Sequence, residues 1–240
     1  IEVSRLALGT GTFGGRIQRE LGQDEFTRLV RHAYDRGIRF FETADAYRTH
    51  QMLGEALKGI PRDSYRLMTK IRWRNQTETP AEAIDRFRKE LNTDYLDILL
   101  IHCVRTPNWP QELEALRDAL SEAKQKKIIL AHGASCHGLL PLRAFPGNDW
   151  LDVALIRINH NGTRMDSLAG REQDQGDVKE VTARIRQIHE QNTGVLGMKI
   201  IGEGRFQTRQ EREASIRFVM GLGTVDAITI GYKSPAEIDE

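Results

Sequence analysis

Apolar residues recur along this chain in two rhythms that alternate from one end to the other. Short runs rich in Ile, Leu, Val, Phe and Met fall at 5–8, 38–41, 66–68, 96–101, 127–131, 152–158, 194–198 and 227–230. Unbroken apolar runs of this length suit strands buried on both faces, as parallel strands are. Between them the spacing changes to the helical 3.6 period. Gln23-Asp24-Glu25 opens one helix, Phe26, Leu29, Val30 and Ala33 form its apolar face, and Gly37 stops it. Thr79-Pro80-Ala81-Glu82 places Pro just inside a capped start, with Ile84, Phe87 and Leu91 behind it. Leu113, Leu116 and Leu120 mark a third helix, and Val178, Val181, Ile185 and Ile188 a fourth. The polar, Gly-containing stretch 161–176 reads as a loop.

Strands alternating with helices imply a parallel sheet with right-handed crossovers. A count of eight favours closure, so the expected fold is α/β, a (β/α)8 TIM barrel, with residues 1–240 as one domain. The chain starts at Ile1 and stops at Glu240, where a helix begins, so the expectation is a domain cut short at its C-terminus. Composition changes this picture little. Hydrophobic residues are 39% and charged residues 29% of the 240, ordinary for a globular protein. With 35 basic against 34 acidic side chains the net charge is +1, which gives no argument for nucleic acid or an anionic membrane as partner. No run approaches the roughly 20 apolar residues of a membrane span. Cys103 and Cys136 make neither a disulfide framework nor a zinc spacing, so a reducing, cytoplasmic setting is the expectation.

In such barrels the C-terminal ends of the strands build the site. The second run is followed by Glu42-Thr43-Ala44-Asp45-Ala46-Tyr47, the third by Thr69-Lys70 and the fourth by His102. Later runs lead to His132 and Gly133-Ala134-Ser135, to Arg157, Asn159 and His160, to Lys199, and to Gly231-Tyr232-Lys233-Ser234. Each alone has a plain structural reading, because a Lys after a strand is usually solvated. Convergence is what changes this, since a carboxylate, a phenol, an ammonium and an imidazole share one end of consecutive strands. A phenol titrates near ~10, too high for efficient proton exchange at neutral pH. A neighbouring ammonium favours the phenolate, a carboxylate can hold the ammonium, and an imidazole can donate to a substrate oxygen. Together they can protonate a carbonyl oxygen while its carbon receives a hydride.

These residues resemble the aldo-keto reductase family. The second-strand motif Asp-x-Ala-x-x-Tyr, followed by Leu-Gly, reads here as Glu42 to Tyr47 and Leu53-Gly54. Leu8-Gly9-Thr10-Gly11-Thr12-Phe13-Gly14 resembles the first-strand signature, Thr69-Lys70 the third, and Leu96 to His102 the fourth-strand Leu-Asp-Leu-x-x-x-His. Gly133-Ala134-Ser135 resembles Gly-Val-Ser, and the likeness runs in order along essentially the whole chain. The resemblance implies a hydride-transferring oxidoreductase acting on a carbonyl or alcohol. Tyr47 would be general acid/base, Lys70 its activator, Glu42 the carboxylate partner and His102 the carbonyl anchor. It implies a nicotinamide cofactor, NADP in the first place, contacted by Gly11, Thr12, Phe13, Ser135, Arg157, Met198, Lys199 and Lys233, and no metal.

Several positions depart from the family pattern. Glu42 is one methylene longer than Asp, and Asp45 is near enough in sequence to compete for Lys70. Cys136 stands where Asn is usual, Arg157 where a Gln often meets the carboxamide, and Met198 where a Tyr stacks on the nicotinamide. Ser234-Pro235-Ala236-Glu237-Ile238 resembles the adenosine 2′-phosphate site, yet Glu237 falls where Arg is common. A carboxylate there suits a free ribose hydroxyl and keeps NAD open; Lys199, Arg205 and Lys233 could compensate. Trp73, Trp109, Phe13 and Met198 are candidate pocket residues.

Other readings remain open at this level. Gly9-x-Gly11-x-x-Gly14 fits a dinucleotide fingerprint, but that motif should open directly into a helix, and the helical pattern begins only near Asp24. A Schiff-base aldolase could use Lys70 or Lys199, and a cofactor-binding regulatory barrel could carry the altered Glu42. A metal hydrolase would need ligands beyond His102, His132 and His160, among which no His-x-His pair occurs.

Overall fold

The computed structural model describes residues 1–74, 77–168 and 175–240. Eight parallel strands hydrogen bond in chain order into a closed barrel. They are β1 (Leu6–Gly9), β2 (Phe40–Glu42), β3 (Arg66–Ile71), β4 (Leu96–Val104), β5 (Ile129–Cys136), β6 (Val153–Arg157), β7 (Gly194–Met198) and β8 (Ala227–Gly231). Each apolar run of the sequence overlaps one of them, although β3 and β5 continue past the ends of their runs at Met68 and Ala131. The offsets are of a few residues at the ends, where backbone pairing decides and composition does not. A ring in which β1 lies between its neighbours leaves no open dinucleotide-binding sheet.

The helices are α1 (Arg16–Glu20), α2 (Gly22–Asp35), α3 (His50–Ala56), α4 (Pro80–Glu90), α5 (Trp109–Glu112), α6 (Glu114–Gln125), α7 (Leu139–Leu142), α8 (Val178–Glu190), α9 (Arg209–Gly221) and α10 (Pro235–Asp239). Helix α2 buries the expected Phe26, Leu29, Val30 and Ala33, and Gly37 leaves it at φ +93°, a conformation a side chain would strain. Thr79 caps α4 as expected: its hydroxyl accepts from Glu82 N–H while the Glu82 side chain accepts from Thr79 N–H. Helix α1 corrects the sequence reading. It starts at Arg16, straight after Gly14-Gly15, not near Asp24. The late helix start therefore does not argue against a dinucleotide fold; the closed ring does.

The described chain gathers into two compact units. Residues 1–100, 115–132 and 231–240 form the first, and 101–114 with 133–230 the second. In the first, β1, β2 and β3 run in register, with Gly9 opposite Glu42 and Glu42 opposite Met68. In the second, β6 pairs with β7 from Val153–Gly194 to Arg157–Met198. Trp109 corrects the pocket reading. It is fully buried, with its ring 5.3 Å from Phe145 and 6.2 Å from Trp150, an aromatic core contact. The expected loop 161–176 holds no helix or strand among its described residues; 169–174 lie outside them. No described helix is long and apolar enough to cross a membrane.

Candidate active site

Parallel strands deliver their last residues to one end: Glu42 closes β2, and Lys70 is the last residue but one of β3. Tyr47 follows β2 in a single 3-10 turn, Asp45–Tyr47. The three side chains meet in the first unit. Lys70, 1% exposed, donates to the Glu42 carboxylate, to the Thr43 carbonyl at 3.0 Å and to the Tyr47 hydroxyl at 3.2 Å. Its ammonium also stands 4.7 Å from the Tyr47 ring centroid. The longer Glu42 thus reaches the partner that the sequence assigns to it. Glycine at position 11 lets the chain pass over the ring, because a Cβ there would stand 2.6 Å from Tyr47 carbons.

Asp45 does not compete for Lys70. It is held by Arg72 at 2.8 Å and Arg86 at 3.1 Å. Burial works against its carboxylate, but hydrogen bonds from these two arginines outweigh it and keep its pKa below the ordinary value. Arg86 also binds Glu78 and Glu90. Glu90 accepts from His50 Nδ1 at 2.9 Å, and His50 Nε2 lies 2.7 Å from the hydroxyl of Thr69, next to Lys70. The His50 bond holds the Glu90 pKa below its usual value. Sequence reading missed this network, because its members come from four elements and the loops beside them and share no spacing. Asp97 in the Leu-Asp motif proves structural: it accepts from Arg62 at 2.6 Å and from Leu67 N–H at 2.9 Å.

In the second unit, His102 lies on β4, half-buried. Ser135, near the end of β5, accepts Cys103 N–H at 2.8 Å. Arg157 closes β6 and is buried beside Asp166 at 3.7 Å, with a further bond to His137 Nδ1. Asp166 was not singled out from the sequence, where it sits in the polar loop. Met198 closes β7. Lys199 follows at φ +63° and binds Glu203 at 2.5 Å, while Arg164 holds the other oxygen of Glu203 at 2.9 Å.

Of the remaining predicted residues, all in the first unit, Thr12 and Phe13 follow β1, with Phe13 exposed and Arg16 5.6 Å from its ring centroid. Lys233 is exposed after β8; its backbone N–H donates to Glu237 at 2.9 Å and its ammonium lies 3.6 Å from the same carboxylate. Every predicted residue therefore lies at or just beyond the C-terminal end of its strand. Among the described residues no group of His, Cys, Asp or Glu is placed to hold a metal ion.

Comparison with known proteins gives the chain its relatives. The model of the aldo/keto reductase family matches residues 5–222. Aldo-keto reductase YhdN of Bacillus subtilis is 31% identical over 140 residues, 52% of this chain and 40% of that protein. Glycerol 2-dehydrogenase (NADP(+)) of Saccharomyces cerevisiae is 31% identical over 109 residues, 45% of this chain and 31% of that one. The matched part thus spans less than half the length of these relatives. Aldo-keto reductase AKR11C1 from Bacillus halodurans, in its holo form, superposes with a TM-score of 0.76 at 20% identity, covering 100% of this chain and 85% of that one. An aldo-keto reductase from Klebsiella pneumoniae solved with NADPH gives 0.71 at 17% identity, covering 98% and 83%. At these identities the likeness to the solved structures establishes the fold.

Proposed function

Since this chain belongs to the aldo/keto reductase family, we propose that it is an oxidoreductase that interconverts a small carbonyl compound and its alcohol with a nicotinamide cofactor, and that Tyr47 moves the proton. The observation that carries the proposal is the Lys70 hub: one buried ammonium shared by Glu42, the Thr43 carbonyl and the Tyr47 hydroxyl. When Tyr47 gives its proton to the carbonyl oxygen, negative charge grows on the phenol oxygen. Lys70, 3.2 Å away, stabilises that charge. Glu42 and the Thr43 carbonyl keep Lys70 charged and aimed. His102 serves as donor to the substrate oxygen.

The cofactor supplies the hydride. The donor set fits its carboxamide: Ser135, having accepted Cys103 N–H, keeps its own proton to donate, and Arg157 adds positive charge at the next strand end. Gly11, Thr12, Phe13 and Met198 would be its further contacts. Lys199, Arg205 and Lys233 supply charge for the phosphates, which favours NADP. Glu237, held against Lys233, leaves NAD as the second cofactor. The relatives' printed names, an NADP(+) glycerol dehydrogenase and a reductase solved with NADPH, point the same way. On this reading residues 1–240 act as one barrel domain in the cytoplasm, where Cys103 and Cys136 stay reduced.

The aldolase reading loses ground. A Schiff-base lysine must be neutral to attack, whereas Lys70 is ion-paired with Glu42 and Lys199 with Glu203. A panel of aldehydes offered with NADPH and with NADH separates the alternatives. Oxidation of the nicotinamide supports the reductase. Borohydride trapping of substrate on a lysine would replace it with the aldolase, and tight cofactor binding without turnover with a regulatory barrel.

A further inference from the structure

Arginines gather round the turn that carries Tyr47, and the roles above do not account for two of them. Arg72 donates from Nε to Asp45, the first residue of that turn, at 2.8 Å, and its side chain is 52% exposed. From α1, Arg19 donates from Nη1 to the carbonyl of Gly14, at 2.9 Å, and to that of Tyr47. Arg48 ends the turn, its backbone N–H donating to the Asp45 carbonyl at 3.3 Å. All of these belong to the first unit. Asp45 is the carboxylate of the turn, and Arg72 shares it with Arg86. Arg19 bonds neutral carbonyls. The exposed Arg48 side chain has no hydrogen bond or ion pair among the described residues.

Arg48 is also held in a costly backbone conformation. Its φ of +56° and ψ of 38° are left-handed, a region that glycine enters freely and other residues enter with strain. Strain of this kind persists where contacts over-determine it and gathers at functional sites. No contact of the Arg48 side chain offsets it. An unpaired guanidinium is thus kept, against local preference, in the position after the proposed proton donor. Its Cα stands ~3.8 Å from that of Tyr47, and the two side chains are of similar length. A small molecule whose carbonyl meets the Tyr47 hydroxyl can therefore meet Arg48 with a substituent. With Arg19 and Arg72 adding positive charge at the same turn, the substituent that fits is an anion.

We propose that Arg48 is a specificity-determining residue that binds a carboxylate or phosphate on the carbonyl substrate, so that the chain prefers anionic aldehydes or ketones to neutral ones. The inference rests on the reading of Tyr47 as the proton donor. The cofactor's phosphates are a second source of the same charge. Their proposed partners Lys199, Arg205 and Lys233 follow β7 and β8, whereas Arg48 comes after β2, next to the residue that meets the reacting carbonyl.

The test compares para-substituted benzaldehydes at saturating NADPH. They are 4-carboxybenzaldehyde, 4-formylphenyl phosphate and the neutral 4-formylbenzamide, which matches the first in size. In the unmodified chain kcat/KM should be about tenfold or more higher for an anion than for the amide, the scale of one hydrogen bond to a charged group. The carboxylate and phosphate arms show which anion is taken. Arg48→Gln should abolish the preference mainly through a higher KM, as loss of uniform binding does, and Arg48→Lys should keep part of it. Arg48→Gly should abolish it as well, while the urea midpoint does not fall, because glycine accepts the left-handed backbone. That variant separates lost recognition from lost folding. Equal kcat/KM for anions and amide in the unmodified chain, or a preference that survives in Arg48→Gln and Arg48→Gly, overturns the proposal. So does a loss of NADPH affinity that matches the loss of preference, which would put a cofactor phosphate on Arg48. Turnover of the amide without preference for an anion sinks this inference and leaves the proposed function standing. No oxidation of the nicotinamide with these aldehydes or with the wider panel sinks both.

Discussion

Lys70 is the residue on which the proposed chemistry turns, and its surroundings say what its removal would cost. A buried ammonium needs its partners. Glu42→Ala should therefore destabilise the fold by about 3–5 kcal/mol in urea unfolding, because it leaves Lys70 charged and buried beside a cavity. Glu42→Asp is the sharper case. It shortens the reach by one methylene yet keeps the charge, so turnover should stay within about tenfold of the unmodified chain, since one position can cost more only if the geometry fails. A collapse in that variant would mean that the longer carboxylate does something beyond holding Lys70. The sequence identified all three members of this cluster, because each lies within a few residues of a strand end. It could not identify their sorting. That Asp45 goes to Arg72 and Arg86, leaving Glu42 for Lys70, depends on which direction each side chain leaves its turn.

Among the elements, strands were more legible than helices. A buried parallel strand announces itself by continuous apolar residues, and all eight did so. Helices with a clean apolar face, α2, α4 and α8, were equally plain. Helix α9 was missed because its apolar face is weak, with only Ser215 and Val219 buried. The usable signal was Thr208-Arg209-Gln210-Glu211, a capping box of the kind that opens α4: Thr208 and Glu211 each bond the other's backbone N–H. Thr208→Ala should therefore cost about 1 kcal/mol of stability, read as a lower urea midpoint with unchanged slope. Since this cap touches none of the proposed site residues, nucleotide binding should not follow it. Helices α1, α3, α5, α7 and α10, of seven residues or fewer, are too short to leave a period in the sequence.

Over the whole molecule, acid response gathers these local terms. Asp45 and Glu90 titrate below their ordinary values in the folded chain, so each adds stability above its unfolded pKa, and that stability drains away as pH falls through the folded values. Asp166 works in the opposite sense. Its folded pKa, about 6, lies above the unfolded 3.8, so the folded state holds a proton that the unfolded state has lost, and stability falls as pH rises between these values. Urea unfolding across this window should show the decline in the unmodified chain and a flatter curve in Asp166→Asn. A curve of equal slope in both would mean that Asp166 titrates normally. The closed ring was legible from the count and alternation of apolar runs. Asp166 was not, because a carboxylate in a polar loop looks the same whether it faces water or a buried arginine.

The central claim is that Tyr47, supported by Lys70, exchanges the proton with the carbonyl. It is tested most directly by following oxidation of NADPH with an aldehyde substrate, together with NADPH binding, in the unmodified chain and in Tyr47→Phe. Loss of the hydroxyl should lower turnover by at least the roughly 10²–10⁴-fold that general acid catalysis contributes, while NADPH affinity stays within a few-fold. Near-normal turnover in Tyr47→Phe would contradict the claim.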